Sequence, residues 1–349
     1  MKKAIRIVCI ILAVIIVFAA GFIGLLTVTE YKPDDVTELE VDSRGDASGV
    51  STDTGFTVLT FNTGYSGLGD NADFFMDGGK SVRSSDEERV TYNTNMISAY
   101  IARSGADFVF LQEVDTNSTR TYGTDQYEIY SSLYASSAFA YNYKCLYVPY
   151  PIPPMGTVNS GVATFSRYDI SSAQRISLPT TFTWPVSAAN LKRCALVSYV
   201  PIEGSDKQLV LINFHLEAYD DGSAKKAQTE VLVQLLESEY AKGNYVIAGG
   251  DFNQSMPGAL EIYPVIDPDG WLPGSLDESM LPEGWSFAFD TSNASCRSLA
   301  APYVEGETQL YLIDGFIVSP NLEIESVETV DLGFAWSDHN PVSLQISFK

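Results

Sequence analysis

The chain has 349 residues, of which 45% are hydrophobic and 12% aromatic, and it carries a formal net charge of −23 at pH 7. This composition is that of a globular protein with a substantial core, and it excludes an intrinsically disordered chain. The negative charge disfavours tight binding to nucleic acid, although a bound divalent cation could invert the local potential and admit a phosphate. The four cysteines have no close spacing, so neither a disulfide framework nor a zinc site is predicted.

The chain begins with three basic residues, which are followed by an uncharged apolar run over residues 7–28. At a rise of about 1.5 Å per residue, this run is long enough to cross a bilayer as a helix. The positive charges before it predict a cytoplasmic stub of residues 1–6 and an outward-facing remainder. A cleaved signal peptide is the alternative, with "VFAAG" as its small-residue site. The run continues well beyond Ala20, which favours an uncleaved anchor.

The segment after the apolar run, residues 29–55, is polar, acidic and rich in residues that interrupt helices and strands. Such a composition predicts an extracellular tether, within which residues 37–41 could form a brief strand. The folded domain is then predicted to occupy residues 56–349. It begins with "FTVLTFN", whose apolar centre indicates a buried strand.

Two later stretches have the apolar periodicity of helices. One covers residues 85–105, with Ser85 or Asp86 as its N-cap and Gly105 at its end, and the other covers residues 223–241. The remaining apolar stretches are short and indicate strands; these are "DFVFLQEVD", "GVATFSR", "CALVSYV", "LVLINFHL", "NYVIAGGDFN", "YLIDGFIVS" and "NPVSLQISF".

The predicted strands outnumber the predicted helices, and a helix does not follow every strand. That order disfavours an alternating parallel sheet, whereas an α+β fold of two packed sheets with helices outside accounts for it. Residues 256–308 are rich in Pro, Gly and Ser and have little periodicity. We therefore expect a long loop region there, of the kind that contacts substrate.

Polar residues recur where the predicted strands end. Each one alone is most simply a turn residue, and a single histidine in such a place is usually structural. Converging strand ends, however, could gather them into one acidic cleft that contains both histidines of the chain. Carboxylate and amide oxygens are the ligands that magnesium prefers, and histidines beside them are typical of phosphoryl hydrolysis. The residues are Asn62, Glu113, His215, Asp251, Asn253, Asp314, Asp338 and His339.

Seven short segments resemble, in order, the motifs of the endonuclease/exonuclease/phosphatase superfamily. This group includes pancreatic deoxyribonuclease, apurinic endonucleases, bacterial sphingomyelinases and inositol-polyphosphate 5-phosphatases. The resemblance extends from Phe56 to Lys349, and "GDFN" and "SDHNPV" are its most specific motifs. It implies a four-layer α/β sandwich, in which two packed mixed β-sheets are flanked by helices. The segments are "LTFN", "LQEVD", "GVATFSR", "NFHLEA", "GGDFN", "IDGFIVS" and "SDHNPV".

The resemblance implies a magnesium site, in which Glu113 is the main ligand and Asn62 and Asp338 assist it. Manganese or calcium could take the same place. Gly64 stands where apurinic endonucleases carry an aspartate near the metal. His215 also distinguishes the chain from that branch.

The resemblance also implies the catalytic residues. Asp251 and Asn253 would bind and orient the attacking water and a phosphate oxygen. His339 would pair with Asp314, whose carboxylate fixes the tautomer of the imidazole and raises its basicity. Either His339 or Asp251 would remove the proton from the water, since accounts of the family differ on this point.

Two further residues are expected to contact the phosphate group. His215 would bind the phosphate or protonate the leaving oxygen. Arg193, in "LKRCALVSYV", lies where the deoxyribonuclease branch places a phosphate-binding arginine before a strand.

Three classes of function remain open at this point. An extracellular nuclease is disfavoured by charge, because no basic run is longer than two residues. A sphingomyelinase-like lipid or small-phosphodiester hydrolase agrees with the membrane anchor and with the many aromatic residues. A non-catalytic binding protein on the same fold is the third class, and it would not need the complete set of catalytic residues.

The resemblance and the N-terminal segment together predict a membrane-anchored, magnesium-dependent phosphoesterase. Its single transmembrane helix would place a monomeric catalytic domain outside the cell membrane. His215 favours a phosphodiester substrate, either nucleic acid or phospholipid, and a phosphomonoesterase of the inositol-phosphatase kind is the alternative.

Overall fold

The computed structural model describes residues 2–45, 47–84, 86–220 and 222–349. Two of its helices are long and cover the predicted helical stretches of the domain, and a third forms the N-terminal apolar run. The α-helices of the described residues are α1 (Lys2–Val28), α2 (Glu87–Ser104), α3 (Gln126–Ser131), α4 (Ser223–Ala241) and α5 (Ala259–Ile262).

Strands make up most of the rest of the domain. Those of the first half are β1 (Val36–Leu39), β2 (Val41–Ser43), β3 (Phe56–Asn62), β4 (Phe108–Asp115), β5 (Ser136–Val148), β6 (Gly156–Ser166), β7 (Ser172–Ser177), β8 (Cys194–Pro201) and β9 (Gln208–His215). Those of the second half are β10 (Tyr245–Asp251), β11 (Gln254–Ser255), β12 (Gly274–Ser275), β13 (Ser286–Ala288), β14 (Cys296–Arg297), β15 (Leu310–Tyr311), β16 (Asp314–Val318), β17 (Leu322–Thr329) and β18 (Val342–Phe348).

Two seven-stranded sheets form the body of the domain. The first sheet has the order β1-β7-β8-β9-β10-β16-β13, and the second has the order β17-β18-β3-β4-β6-β5-β2. Each contains one parallel pair among antiparallel ones, β9 with β10 in the first sheet and β3 with β4 in the second. The predicted architecture, two mixed sheets flanked by helices, is confirmed.

The main core lies between the two sheets. Within β4, Phe108 and Phe110 belong to this central core, whereas Val109 and Leu111 pack on the other side with α2 and α3. The same alternation occurs along β9, whose other face packs against α4. Side chains of a strand point alternately to its two faces. Both faces of these strands are therefore covered, which explains their continuous apolar sequences.

Helix α2 begins and ends close to the predicted residues. The side chain of Asp86 accepts a hydrogen bond from the backbone N–H three residues later, and Gly105 ends the helix with a φ of 74°. The other predicted cap, Ser85, lies outside the described residues. The buried residues Ile97 and Ile101 are one turn apart and face the second sheet.

The segment predicted as a tether, residues 29–55, is partly folded, and the brief strand expected over residues 37–41 falls where β1 and β2 lie. Strand β1 pairs with β7 at one edge of the first sheet, and β2 pairs with β5 at one edge of the second. Only Glu40 separates the two strands. Their sequence is too polar to predict much pairing, and the edges of the neighbouring strands supply the hydrogen bonds.

Helix α1 is long and apolar enough to cross a membrane. Most of it projects away from the domain, but its last turns pack against the domain, where Leu26 is buried. The hydroxyl of Thr27 accepts a hydrogen bond of 2.9 Å from Trp184 Nε1. Just after the helix, Glu30 forms an ion pair of 2.9 Å with Lys192. These contacts fix the end of α1 beside the folded domain.

Candidate active site

Three of the predicted residues meet because three neighbouring strands end together. Asp251, the last residue of β10, is paired with His215 of β9 on one side and with Asp314 of β16 on the other. The ring atom Nε2 of His215 lies 3.4 Å from Asp251 Oδ2. All three side chains are buried. The strand register therefore builds this row of polar groups directly.

His339 reaches the same row from the loop before β18. Its Nδ1 is 2.8 Å from Asp314 Oδ2, so an N–H at Nδ1 donates to the carboxylate. That hydrogen bond directs Nε2 into the site, 3.7 Å from Asp251 Oδ2 and 4.0 Å from Asp338 Oδ2. A backbone bridge to Cys296 holds the loop in place. The structure thus forms the predicted pair of His339 and Asp314.

The second sheet contributes Asn62 and Glu113 to the site. Asn62 Nδ2 donates a 2.9 Å hydrogen bond to Asp251 Oδ2 and lies 3.4 Å from Glu113 Oε1. It therefore links the ends of the two sheets. Glu113, which is half-buried, has a φ of 54°, and Asn253 on the opposite side has a φ of 49°. Such left-handed backbone at non-glycine residues is strained and is concentrated at functional sites.

Asn253 and Arg193 complete the predicted set. The amide of Asn253 donates to the carbonyl of Leu216, and its backbone N–H donates to Asp251 Oδ1. Arg193 is buried, 3.8 Å from the carboxylate of Glu217. Its Nε has no hydrogen-bond partner within the described part of the chain. This Nε is the guanidinium atom that faces Glu217, so the two side chains form a buried ion pair without a hydrogen bond.

A cavity of about 800 Å³ unites these side chains. Seven of the nine predicted residues line it, and only Asn62 and Asp314 lie behind its wall. Trp271, Cys296 and Leu299 from the predicted loop region also line the cavity. Residues 256–308 therefore contribute to the site as expected.

The electrostatics of the site separate its two histidines. Burial, and after it the positive charge of Arg193, lowers the pKa of His215 well below its usual value. Burial also acts against the charged form of His339, but the negative groups around it, Asp314 foremost among them, together outweigh burial and raise the pKa of His339 well above its usual value. His215 is therefore a neutral imidazole near pH 7, whereas the negative groups around His339 favour its protonated form.

The carboxyl groups of the site are held in a negative environment. Burial, and after it the charge of Asp314, raises the pKa of Asp251. Burial raises the pKa of Asp338 to about 7, with a further contribution from Glu113 and against the opposing charge of His339. Clustered carboxylates of this kind are unfavourable without a cation, so their presence fits a divalent metal.

The predicted ligands fit magnesium unequally. Glu113 and Asp338 offer carboxylate oxygens to the cavity, as a hard cation requires. Asn62 fits less well, because its oxygen accepts from the Gly64 N–H at 3.0 Å and its Nδ2 faces the carboxylates. Among the described residues, there are two clusters in which three possible ligand atoms lie within 4.8 Å of one another. One consists of Cys296, Asp338 and His339, and the other of Asp251, Asp314 and His339. Glu113 belongs to neither cluster.

Gly64 is explained by the space around it. A Cβ atom at this position would lie 2.7 Å from Asp338 Oδ1, and the residue has a φ of 50°. A side chain here would therefore collide with the carboxylate. The aspartate that apurinic endonucleases carry at the corresponding place does not fit this site.

A polar link beneath the site was not predicted from the sequence. Gln112 Nε2 donates to Asn213 Oδ1 at 2.8 Å, and Asn213 Nδ2 donates to the carbonyl of Ala163 at 2.8 Å. These buried side chains join the two sheets directly below the catalytic groups. The sequence did contain a sign of this link, because Gln112 and Asn213 are polar residues within the apolar strands of "LQEVD" and "NFHLEA". A buried polar side chain in such a strand needs a hydrogen-bond partner.

Comparison with known proteins assigns the chain to a class. The sequence model of the Endonuclease/Exonuclease/phosphatase family matches residues 90–339. The chain therefore belongs to this family, whose members are generally phosphoester hydrolases. No curated protein sequence matches the chain significantly.

Several solved structures have the same fold at low sequence identity. An endonuclease/exonuclease/phosphatase from Beutenbergia cavernae DSM 12333 has a TM-score of 0.57 and 17% identity, over 84% of this chain and 72% of that one. Truncated TDP2 of Caenorhabditis elegans has a TM-score of 0.52 and 15% identity, over 85% and 99%. The catalytic domain of human Nocturnin, with bound sulfate, has a TM-score of 0.53 and 17% identity, over 87% and 97%.

Proposed function

We propose that the chain is a membrane-anchored, outward-facing, magnesium-dependent phosphoesterase that hydrolyses a phosphodiester. The observation that carries this proposal is the buried pair of His339 and Asp314, whose free imidazole nitrogen faces Asp251 and the cavity. Family membership supports phosphoester hydrolysis. The basic residues before α1 support an outward-facing domain by the positive-inside rule.

The attacking water is oriented where Asp251 and His339 converge. The carboxylate of Asp314 accepts from His339 Nδ1, which directs Nε2 towards the position of the water. Asp251 receives hydrogen bonds from the side chain of Asn62 and the backbone of Asn253, so its carboxylate cannot rotate away. Removal of the water's proton is thus assigned to this pair of groups.

The phosphate group is held next to these groups, in the same cavity. Arg193 lines the cavity and contributes its positive charge, and neutral His215 can donate a hydrogen bond to a phosphate oxygen. Glu113 and Asp338, with Asn62 behind them, would hold magnesium. When bound, that ion supplies charge neutralisation at the phosphate oxygens.

A direct test incubates the full-length protein in detergent with plasmid DNA, phospholipid vesicles and bis(p-nitrophenyl) phosphate. Magnesium is present in one series and a chelator in the other. Metal-dependent release of product from any of the three substrates supports the proposal. Equal rates with magnesium and with chelator contradict the magnesium dependence.

Glu113→Gln is expected to raise the magnesium concentration for half-maximal activity about tenfold or more, because it removes a charged ligand. The measurement is a magnesium titration of activity. Glu88→Gln is the matched control, since it removes the same charge from an exposed helix. An unchanged titration curve in Glu113→Gln would exclude this residue as a ligand.

His215→Ala is expected to lower turnover of an alkyl phosphodiester about a hundredfold or more. The comparison that matters is with bis(p-nitrophenyl) phosphate, whose leaving group needs no proton. If His215 protonates the leaving oxygen, the loss with this substrate is much smaller; if His215 binds the phosphate, both losses are equal. Near-normal turnover of both substrates would remove His215 from the reaction.

A further inference from the structure

The cavity does not end at the catalytic groups but continues to helix α1. Four residues of the helix line it, at the spacing i, i+3, i+4 and i+7 that defines one helical face: Ala19, Phe22, Ile23 and Leu26. The stretch they cover is about 10 Å long. Residues on the other faces, such as Val17 and Phe18, are 71% and 77% exposed. One stripe of α1 is therefore a wall of the same cavity that contains His339.

The cavity changes in character between its two ends. At the catalytic end it is lined by charged side chains, including Arg193 and Asp251. Towards α1 the lining is apolar, with side chains such as Val148, Met155 and Phe75. A ligand that fills the whole cavity must therefore carry a phosphate at one end and an apolar chain at the other.

An apolar rim, formed by exposed side chains of residues 150–152 and 184–186, lies at the end of the cavity next to α1. Ile152 is 91% exposed, Tyr150 68%, Trp184 62% and Val186 57%. Tyr150 and Val186 also line the cavity, and Trp184 donates a hydrogen bond to Thr27 of α1. Exposed apolar groups of this size, and aromatic residues with polar tips, are typical of protein surfaces at a membrane interface.

We infer that the substrate is a membrane lipid with a phosphodiester headgroup, and that α1 forms part of its binding site. The phosphodiester occupies the catalytic end of the cavity, while an acyl chain lies along the stripe of α1 from Ala19 to Leu26. The lipid enters past the apolar rim without leaving the bilayer. This inference rests on the proposed function and names the substrate class of that same site.

The net charge of the chain and the size of the cavity agree with a lipid as the occupant. A nucleic acid would meet an apolar wall and a chain whose net charge is −23, which repels a polyanion. A volume of about 800 Å³ lies within the usual range of small-ligand sites, and it accommodates a headgroup with part of one chain. Helix α1 is long and apolar enough to cross a membrane, and as a span it would bring its stripe next to the lipid.

The test compares two substitutions of neighbouring alanines in α1. Ala19→Trp fills the cavity from the helix side, whereas Ala20 does not line the cavity and Ala20→Trp projects away from it. Full-length protein in nanodiscs is assayed with magnesium on phosphatidylcholine and on bis(p-nitrophenyl) phosphate. Ala19→Trp is expected to lower the ratio of lipid to soluble turnover about tenfold or more, the scale of an overpacked site. Ala20→Trp is expected to leave this ratio at the wild-type value.

Each other outcome has a defined meaning. Equal ratios in the two variants and in wild type would overturn the role of α1 but leave the phosphoesterase proposal intact. Hydrolysis of the soluble diester without any of the lipid would overturn the lipid substrate. An intact mass of the membrane-extracted protein that lacks residues 1–20 would overturn the inference too, because the part of α1 that remains is too short to cross a membrane.

A binding measurement keeps the two proposals separable if wild type hydrolyses neither substrate. A photoreactive phosphatidylcholine is crosslinked to the His339→Ala protein in nanodiscs, and adducts are mapped by mass spectrometry. Adducts are expected on Tyr143 or Met155, which line the cavity, and they should decrease when Ala19→Trp is added. Adducts confined to exposed faces of α1 would refute lipid entry.

Discussion

His339→Ala is expected to lower phosphodiester turnover about a hundredfold or more, the usual loss when a general base is removed. The imidazole is buried, and its Nδ1 is engaged by Asp314 at 2.8 Å, so only Nε2 can accept a proton from the site. The measurement is kcat on bis(p-nitrophenyl) phosphate with saturating magnesium.

His339→Asn separates chemistry from folding in this experiment. The amide nitrogen of asparagine can take the place of Nδ1 and donate to Asp314, but asparagine has nothing at the position of Nε2. Both variants should lose turnover, while His339→Asn should unfold closer to the wild-type temperature than His339→Ala. If His339 and Asp314 act as a unit, Asp314→Asn added to His339→Asn should cause little further loss. Wild-type turnover in His339→Asn would contradict the assigned role.

Asp115→Ala is expected to lower the free energy of unfolding by about 3–5 kcal/mol, because it leaves a buried guanidinium without its anion. Asp115 Oδ1 and Oδ2 accept from Arg120 Nη2 and Nε at 2.9 and 3.0 Å, and neither residue is exposed. The guanidinium carbon lies 3.7 Å from the ring centroid of Tyr65. The measurement is the urea dependence of tryptophan fluorescence.

The control for this prediction is the exposed pair of Arg44 and Glu128, with an N–O distance of 3.0 Å. Glu128→Ala is expected to change stability by about 1 kcal/mol or less, since solvent screens that pair. Replacing both partners of the buried pair, as Asp115→Ala with Arg120→Met, should recover part of the loss. A loss in Asp115→Ala no larger than that in Glu128→Ala would show that burial does not govern this pair.

The fold was predictable where the sequence alternates between long apolar strands and clear breaks. Strands such as β4 and β9 are apolar on both faces because helices cover their outer sides, and that pattern is visible without coordinates. Strands β1 and β2 were not predictable to the same degree. Their pairing depends on the edges of β7 and β5, which lie more than ninety residues further along the chain.

The site was predictable as a set of residues but not as a geometry. Family motifs at strand ends indicated His215, Asp251 and Asp314, and the strand register places them side by side. The orientation of Asn62, which turns its nitrogen rather than its oxygen towards Asp251, depends on packing between the two sheets. The α1 wall likewise arises from tertiary contacts, and no periodicity in residues 7–28 distinguishes that face.

Strands β1 and β2, which are separated by one residue, close one edge of each sheet, and this has a practical consequence for producing the catalytic domain by itself. A fragment that starts at residue 56, the domain boundary predicted from composition, would lack both strands and leave β7 and part of β5 with unpaired backbone. Exposed edges of this kind recruit strands from other molecules and cause aggregation. A fragment that starts at Glu30 keeps both edges closed and also retains the ion pair with Lys192. Expression trials should therefore compare these two starting points before any poor solubility is attributed to the domain.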